Sequence, residues 1–152
     1  MRKHIKLITS FFYLGHSPFM PGTVGSLAGL VVYLLVKDSV LLYGFAALFL
    51  FTLGVMFSSE AERVYRRKDA RMIVIDEVCG MMLALFLVPA TAASIVTGFL
   101  LFRIFDIIKP PPARRVEKFT GAFGIMFDDI IAALYTNIIL QIIFRIFIRQ
   151  AV

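Results

Sequence analysis

Cysteine is nearly absent: Cys79 is the one thiol in 152 residues, so no intrachain disulfide can form. A thiol phosphatase loop of the form Cys-x5-Arg needs Arg at position 85, where Leu85 stands. The apolar setting of Cys79 marks it instead as a small core residue. No Gly-Lys-Ser/Thr closes a glycine loop, which excludes a Walker A nucleotide site. The Asp-Gly-x-x-Ala-Arg pattern of CDP-alcohol phosphotransferases is missing, and so is the Asp-x-Asp signature of haloacid-dehalogenase-type enzymes. There is no repeat, low-complexity tract or long linker, so residues 1–152 are expected to form a single domain. The N-terminus, MRKHIKLITSFFYLGHSPFMPG, has only a short apolar run with no small-residue cleavage site, and is not expected to be an export signal.

What the chain has in excess is apolar surface. Hydrophobic residues make up 60% of it, with 16 Phe, and mean hydropathy is +0.88, against ~45–50% apolar residues in a typical globular domain. Net charge is +6, gathered at residues 2–6, 63–71, 109–118 and 145–149. Such basic runs fit nucleic acid or anionic headgroups, and on so apolar a chain the headgroups are the better partner. No nucleic-acid partner is expected.

The apolar runs are long and rich in Ala, Leu and Met, which predicts helix throughout. The expected fold is all-α: a compact helical bundle of about five to six helices, integral to a membrane, with several spanning or re-entrant helices. A soluble bundle with buried helices is the alternative. Residues 15–26, GHSPFMPGTVGS, read as a Gly/Pro-rich loop, and residues 27–36 as a short apolar arm. Lys37-Asp38 is a turn, and the uncharged residues 39–57 are the best spanning helix. Residues 72–88 and 91–108 form a second hairpin turning near Pro89. Residues 109–118 are a basic loop, and 119–144 a last long helix. The positive-inside rule places the N-terminus and the basic runs at 63–71 and 109–118 on the cytoplasmic side.

Five carboxylates interrupt these apolar segments: Asp76, Glu77, Asp106, Asp128 and Asp129. A buried carboxylate must neutralise, pair or bind a cation. The charge topology brings all five within about two helical turns of the cytoplasmic boundary. Acids crowded at one depth call for a joining cation, and hard oxygen ligands favour Mg²⁺ or a similar ion.

Each constellation has a plainer alternative. Arg103, Asp106 and Lys109 are three residues apart and share a helical stripe. Either Arg103 and Asp106 form a buried ion pair, or Asp106 binds metal while Arg103 and Lys109 hold a phosphate through their N–H donors. Neighbouring helical residues point about 100° apart, so one member of each acidic doublet is expected to support the other. Helix N-terminal carboxylates favoured by the macrodipole are the alternative for Asp128-Asp129. In the loop, Gly22 and Gly25 permit close backbone approach, and Thr23 and Ser26 offer hydroxyls to a phosphate at a helix N-terminus. An ordinary helix cap explains the same residues.

Four segments in order resemble the phosphatidylglycerophosphatase A family: Ser-Pro-Phe-Met-Pro-Gly-Thr-Val-Gly-Ser at 17–26, Val-Ile-Asp-Glu-Val-Cys-Gly at 74–80, Phe-Arg-Ile-Phe-Asp-Ile-Ile-Lys-Pro-Pro-Pro at 102–112, and Gly-Ile-Met-Phe-Asp-Asp at 124–129. Gly121-Ala122 stands where the family commonly has Gly-Gly. The resemblance implies an Mg²⁺-dependent lipid phosphatase of the bacterial inner membrane, its site facing the cytoplasm. Its substrate would be an anionic phospholipid, phosphatidylglycerophosphate, converted to phosphatidylglycerol and phosphate. Asp76, Glu77, Asp106, Asp128 and Asp129 would be catalytic and metal-binding. Arg103, Lys109, Thr23, Ser26, Gly22 and Gly25 would hold the phosphate. An aspartyl-phosphate route is the chemical rival to direct water attack. A small cation transporter or channel using the same carboxylates is the alternative function, and would place some acids near the bilayer midplane. Oligomeric state is left open.

Overall fold

A computed structural model describes residues 2–147. Arg149, and with it the end of the C-terminal basic run, lies outside these. Among the described residues the protein is all-helical, with no strand. The helices are α1 (Arg2–Thr9), α2 (Pro21–Val36), α3 (Val40–Tyr65), α4 (Ile75–Ala84), α5 (Ala92–Ile108), α6 (Ala113–Val116) and α7 (Ala122–Gln141), the last running into a π-helical segment, Ile142–Phe147. Seven α-helices replace the expected five to six because the basic N-terminus and the proline-rich loop each form a short helix. Two helices, α3 and residues 122–144, are long and apolar enough to cross a bilayer. Helices α2, α4 and α5 have 16, 10 and 17 residues, short of the ~20 needed for a full span.

The shortest of these, α4, is the centre of the bundle. Ile75, Asp76, Val78, Cys79, Gly80, Met81, Met82 and Ala84 are all buried, because α2, α3, α5 and α7 pack around it. A helix apolar on every face is stable only when enclosed in this way. Its C-terminal carbonyls, which have no partners within a helix, are met from outside. Asn137 on α7 donates from Nδ2 to the carbonyls of Leu83, Ala84 and Phe86 at 3.3, 3.1 and 2.8 Å, and the Tyr43 hydroxyl on α3 donates to the carbonyl of Met82.

Helix α2 approaches α4 through glycine. A Cβ at Gly25 would lie 2.8 Å from Cβ of Val74, and one at Gly29 2.6 Å from the carbonyl oxygen of Val78. The two backbones are therefore closer than any side chain allows. The hairpins α2–α3 and α4–α5 turn at one end of the bundle. The start of α2, the end of α3, the start of α4, the end of α5 and the start of α7 share the other end. By contrast α3 faces outward: only 22% of its most apolar stretch is buried, and Leu41, Phe45 and Leu48 are exposed.

Gly29→Ala should destabilise the protein by roughly 1–3 kcal/mol through overpacking. Gly44→Ala, which meets no atom within 4 Å, should be neutral or stabilising by up to about 1 kcal/mol. Thermal melts of the two variants check this; equal shifts would refute the close α2–α4 contact.

Candidate functional site

The shared end of the bundle carries every acid singled out by sequence. Asp76 and Glu77 occupy the first turn of α4, where the helix dipole favours negative charge. Oδ1 of Asp76 accepts from the Glu77 amide at 3.1 Å. Asp128 and Asp129 lie in the second turn of α7, which has no acid in its first turn; the macrodipole does not account for them. Asp76, Asp128 and Asp129 keep 8%, 6% and 3% of their surface exposed.

The doublets divide their members between two tasks. One oxygen from each of Asp76, Glu77 and Asp129 converges, all three within 4.8 Å of one another. Asp128, turned away from its neighbour, accepts from Nζ of Lys109 at 2.6 Å. Asp106 forms an ion pair with Arg103. At an effective dielectric of about 20, two of the three convergent carboxylates, if both ionised at 4.8 Å, repel by roughly 3 kcal/mol. Glu77 Oε2, Asp128 Oδ1 and Asp129 Oδ2 are buried and have no hydrogen-bond partner among the described residues. Buried acceptors without donors, three convergent oxygens and no soft ligand form a donor set that fits a hard divalent cation.

The cations are only partly engaged. Lys109 is not the third member of a helical stripe, as its spacing predicted. It caps α5 in the left-handed region at φ 51°, and its amide bonds to the carbonyl of Phe105. The prolines that follow cannot continue the helix. This turn sends Nζ to Asp128 and to Glu117, the latter at 3.1 Å. Burial would lower the Lys109 pKa, but the bonds to Asp128 and Glu117 outweigh it and hold the ammonium above its ordinary value. Arg103 donates from one nitrogen to Asp106 and also to the Ser26 hydroxyl, the latter at 3.4 Å. Its Nε is buried without an acceptor.

The glycine loop differs from its sequence reading. Pro21 starts α2, with its ring-fixed φ suited to the first helical position. Gly22, Thr23, Gly25 and Ser26 therefore lie inside a helix and not in a loop before one. Gly22 faces the site: a Cβ there would lie 2.5 Å from Glu77 Oε1 and 3.1 Å from the Arg103 nitrogens. Gly25 serves the α4 contact instead. The buried Ser26 hydroxyl donates to the Gly22 carbonyl at 2.9 Å, while the Thr23 hydroxyl has no partner among the described residues.

Three further acids, not singled out by sequence, come from within or beside the basic runs. Glu62 near the end of α3 accepts from the Asp69 amide at 2.7 Å and, with its other oxygen, from the Gly121 amide at 3.1 Å. It thus ties the loop after α3 to the start of α7. Ser59 adds a bond from the Ala122 amide at 2.8 Å. Asp69 is exposed as a residue, yet desolvation around its carboxyl raises its pKa; Lys109 opposes this, and Glu117, Glu62 and Asp106 add to it. The positive φ of Arg66 and Asp69 marks the tight turns that bring this loop back. Glu117 is the second partner of Lys109.

Convergent carboxylates beside a guanidinium and an ammonium, at one end of a helical bundle, define a class: an all-α protein equipped for chemistry on a phosphate ester. The profile of the phosphatidylglycerophosphatase A family matches residues 7–144, and the chain belongs to that family and is a phosphatase. It is 38% identical to a phosphatidylglycerophosphatase A of Haemophilus influenzae over 78% of this chain and 76% of that protein. With the Escherichia coli protein of the same name it shares 34% identity over 90% and 81%. A Bacteroides thetaiotaomicron protein named putative phosphatidylinositol-3-phosphatase is 35% identical over 90% and 91%. No solved structure matches.

Lys109→Met should destabilise the fold by on the order of 3 kcal/mol, because it strands Asp128 inside the bundle. Adding Asp128→Asn should restore much of that loss. A double-mutant cycle from chemical denaturation tests the coupling; additive losses would show that the pair is not a unit.

Proposed function

We propose that this protein is an integral membrane phosphatase that hydrolyses phosphatidylglycerophosphate to phosphatidylglycerol and phosphate, with Mg²⁺, at the cytoplasmic face. The observation that carries the reading is the convergence of Asp76, Glu77 and Asp129 beside Arg103 and Lys109. The names of the Haemophilus and Escherichia relatives support the substrate. The outward apolar surface of α3 and the two helices of spanning length support membrane integration. The basic loops at the site end support a cytoplasmic face. A transporter has no support: the acids gather at one end of the bundle rather than along a path through it.

Asp76, Glu77 and Asp129 would hold Mg²⁺, with Asp106 and Asp128 as nearby carboxylates paired with Arg103 and Lys109. When bound, the ion would supply Lewis-acid neutralisation of phosphoryl charge and a more acidic water. The chain itself supplies the clamp. Arg103 carries five N–H donors and Lys109 three, more than their bonds to Asp106, Asp128 and Glu117 consume. The spare donors, the unpaired Nε of Arg103 among them, meet the equatorial oxygens as charge grows there in the transition state. Gly22 leaves the space beside Glu77 and Arg103 open, and Thr23 and Ser26 border it on α2. The low-dielectric surroundings strengthen each of these contacts.

The relative named for phosphatidylinositol 3-phosphate motivates a second substrate of the same kind, a phosphomonoester on a phospholipid headgroup. Phosphate release from both lipids by purified protein, with and without Mg²⁺, separates the two. Removal of Mg²⁺ should abolish activity. Asp76→Asn and Asp129→Asn should each lower kcat at least 100-fold, and Asp106→Asn should do so less severely. Wild-type rates in all three would overturn the shared site. With substrate labelled in its terminal phosphate, a rapid acid quench in single turnover should leave no label on the protein; a hydroxylamine-labile phosphoprotein would establish the aspartyl-phosphate route.

A further inference from the structure

A cleft of about 430 Å³ lies beside the acid cluster, lined by Gly15, His16, Ser17, Pro21, Arg67 and Arg71 among others. Two loops build it. Gly15 packs directly on the backbone of Met72, which locks the segment between α1 and α2 against the one between α3 and α4. His16 leans on Tyr65, its Nε2 3.4 Å from the Tyr65 hydroxyl. The cleft adjoins the site through α2: Pro21 lines the cleft, and the next residue, Gly22, abuts Glu77 and Arg103. The two residues are consecutive in α2, their Cα atoms about 3.8 Å apart.

Its charge is of one sign. No carboxylate lines it, and among the described residues neither the Arg67 nor the Arg71 guanidinium has an ion-pair or hydrogen-bond partner. Two guanidiniums on one cleft repel each other unless an anion joins them, and their planar forks fit phosphate oxygens. Arg67 also lines a second basic cleft, with Arg63, Arg66 and Lys68, which borders the start of α7 and contains the Glu62 carboxylate; neither Pro21 nor Arg71 lines that one, so Arg71 belongs to the first cleft alone.

We infer that the Arg67–Arg71 cleft holds the phosphodiester of the lipid headgroup while the acid cluster processes the monoester. The inference rests on the proposed substrate, whose headgroup carries two phosphates joined through one glycerol. Only the terminal one is cleaved. A site that grips the monoester alone would leave the diester charge facing a carboxylate cluster without compensation. The cleft supplies that compensation one residue away. It also sets the reach: a substrate must present its diester and monoester at the spacing of the two subsites. The same two-phosphate requirement holds for any phospholipid with a phosphorylated polyol headgroup.

The test uses full-length protein in uncharged detergent micelles, so that bulk attraction to anionic lipid is removed. In Arg67→Gln and Arg71→Gln, KM for phosphatidylglycerophosphate should rise about tenfold for each arginine removed, with kcat within about threefold, and lysine at either position should recover part of the loss. Glycerophosphoglycerol, the diester headgroup without its monoester, should inhibit competitively, with a Ki raised about tenfold in the variants. The Ki of inorganic phosphate should stay unchanged. A fall in kcat at constant KM, an equal shift in the phosphate Ki, or an effect seen only on anionic vesicles would overturn the inference. Should the wild type prove inactive on this lipid, the functional reading fails, and calorimetric binding of glycerophosphoglycerol decides the cleft: binding lost in the arginine variants upholds it, and no binding by the wild type overturns it.

Discussion

Three carboxylate oxygens within a few ångströms of one another, in a bundle that is otherwise apolar, impose the constraint on which the rest of the structure depends. Their mutual repulsion opposes folding, and several features of the protein counter it. Helix α4 points its positive end at Asp76 and Glu77. Helix α5 ends where Arg103 and Lys109 can each neutralise one further acid. Glu62 fixes the start of α7, and through it the turn that carries Asp129. What these devices leave unmatched is as informative as what they satisfy. Among the described residues three buried carboxylate oxygens lack donors, and one buried guanidinium nitrogen lacks an acceptor. Both signs of charge are held in excess of their internal partners, which suits a site whose ligands are a cation and an anion together.

The placement of α4 explains how so short a helix carries this load. It has no outward face, so every residue on it is fixed by neighbours rather than by solvent. Its carbonyl end is stitched to α3 and α7 by Tyr43 and Asn137. Its amide end is left to the acids. The glycines of α2 let that helix lie against it at backbone distance, and this close seam brings Gly22 to Glu77. Rigidity at one end of α4 thus sets the geometry at the other, as a site built on packed elements requires.

Much of this arrangement was legible in the sequence. Basic loops identified which chain ends share a side, and the distance of each acid from its loop gave a common depth. The helical class followed from the apolar runs, and the turns at Lys37-Asp38 and near Pro89 from their composition. Other features were hidden for physical reasons. Pro, Gly, Thr and Ser at 17–26 read as loop because their local preferences favour turns; contact with α4 selects helix from Pro21 onward. Asp69, Glu62 and Glu117 stand among lysines and arginines, where a lone acid looks like solvated surface. Nothing local indicates that Asp129 joins Asp76 and Glu77 while Asp128 goes to Lys109. That choice is made by the 100° between neighbours and by the left-handed turn at Lys109, and both take effect only once α5 and α7 are packed.

The division of the basic surface bears on how one family can serve different headgroups. The acids and their two cations lie on helices whose packing is fixed by the core, so the chemistry on a phosphomonoester is insulated from change. Arg67 and Arg71 are exposed on a loop held by Glu62, by the bond from Lys68 Nζ to the Lys118 carbonyl, by the buried Ala70 and Ile73, and by the contact of Gly15 with Met72. Substitutions of the two exposed arginines disturb little of the core. A cleft that reads the second phosphate from such a loop can be retuned in reach and charge without moving the reacting centre. Relatives at 34–35% identity that carry names for a glycerophosphate and an inositol phosphate headgroup fit that separation: on the proposed reading the core would determine which bond breaks, and the loop beside it which lipid brings that bond into place.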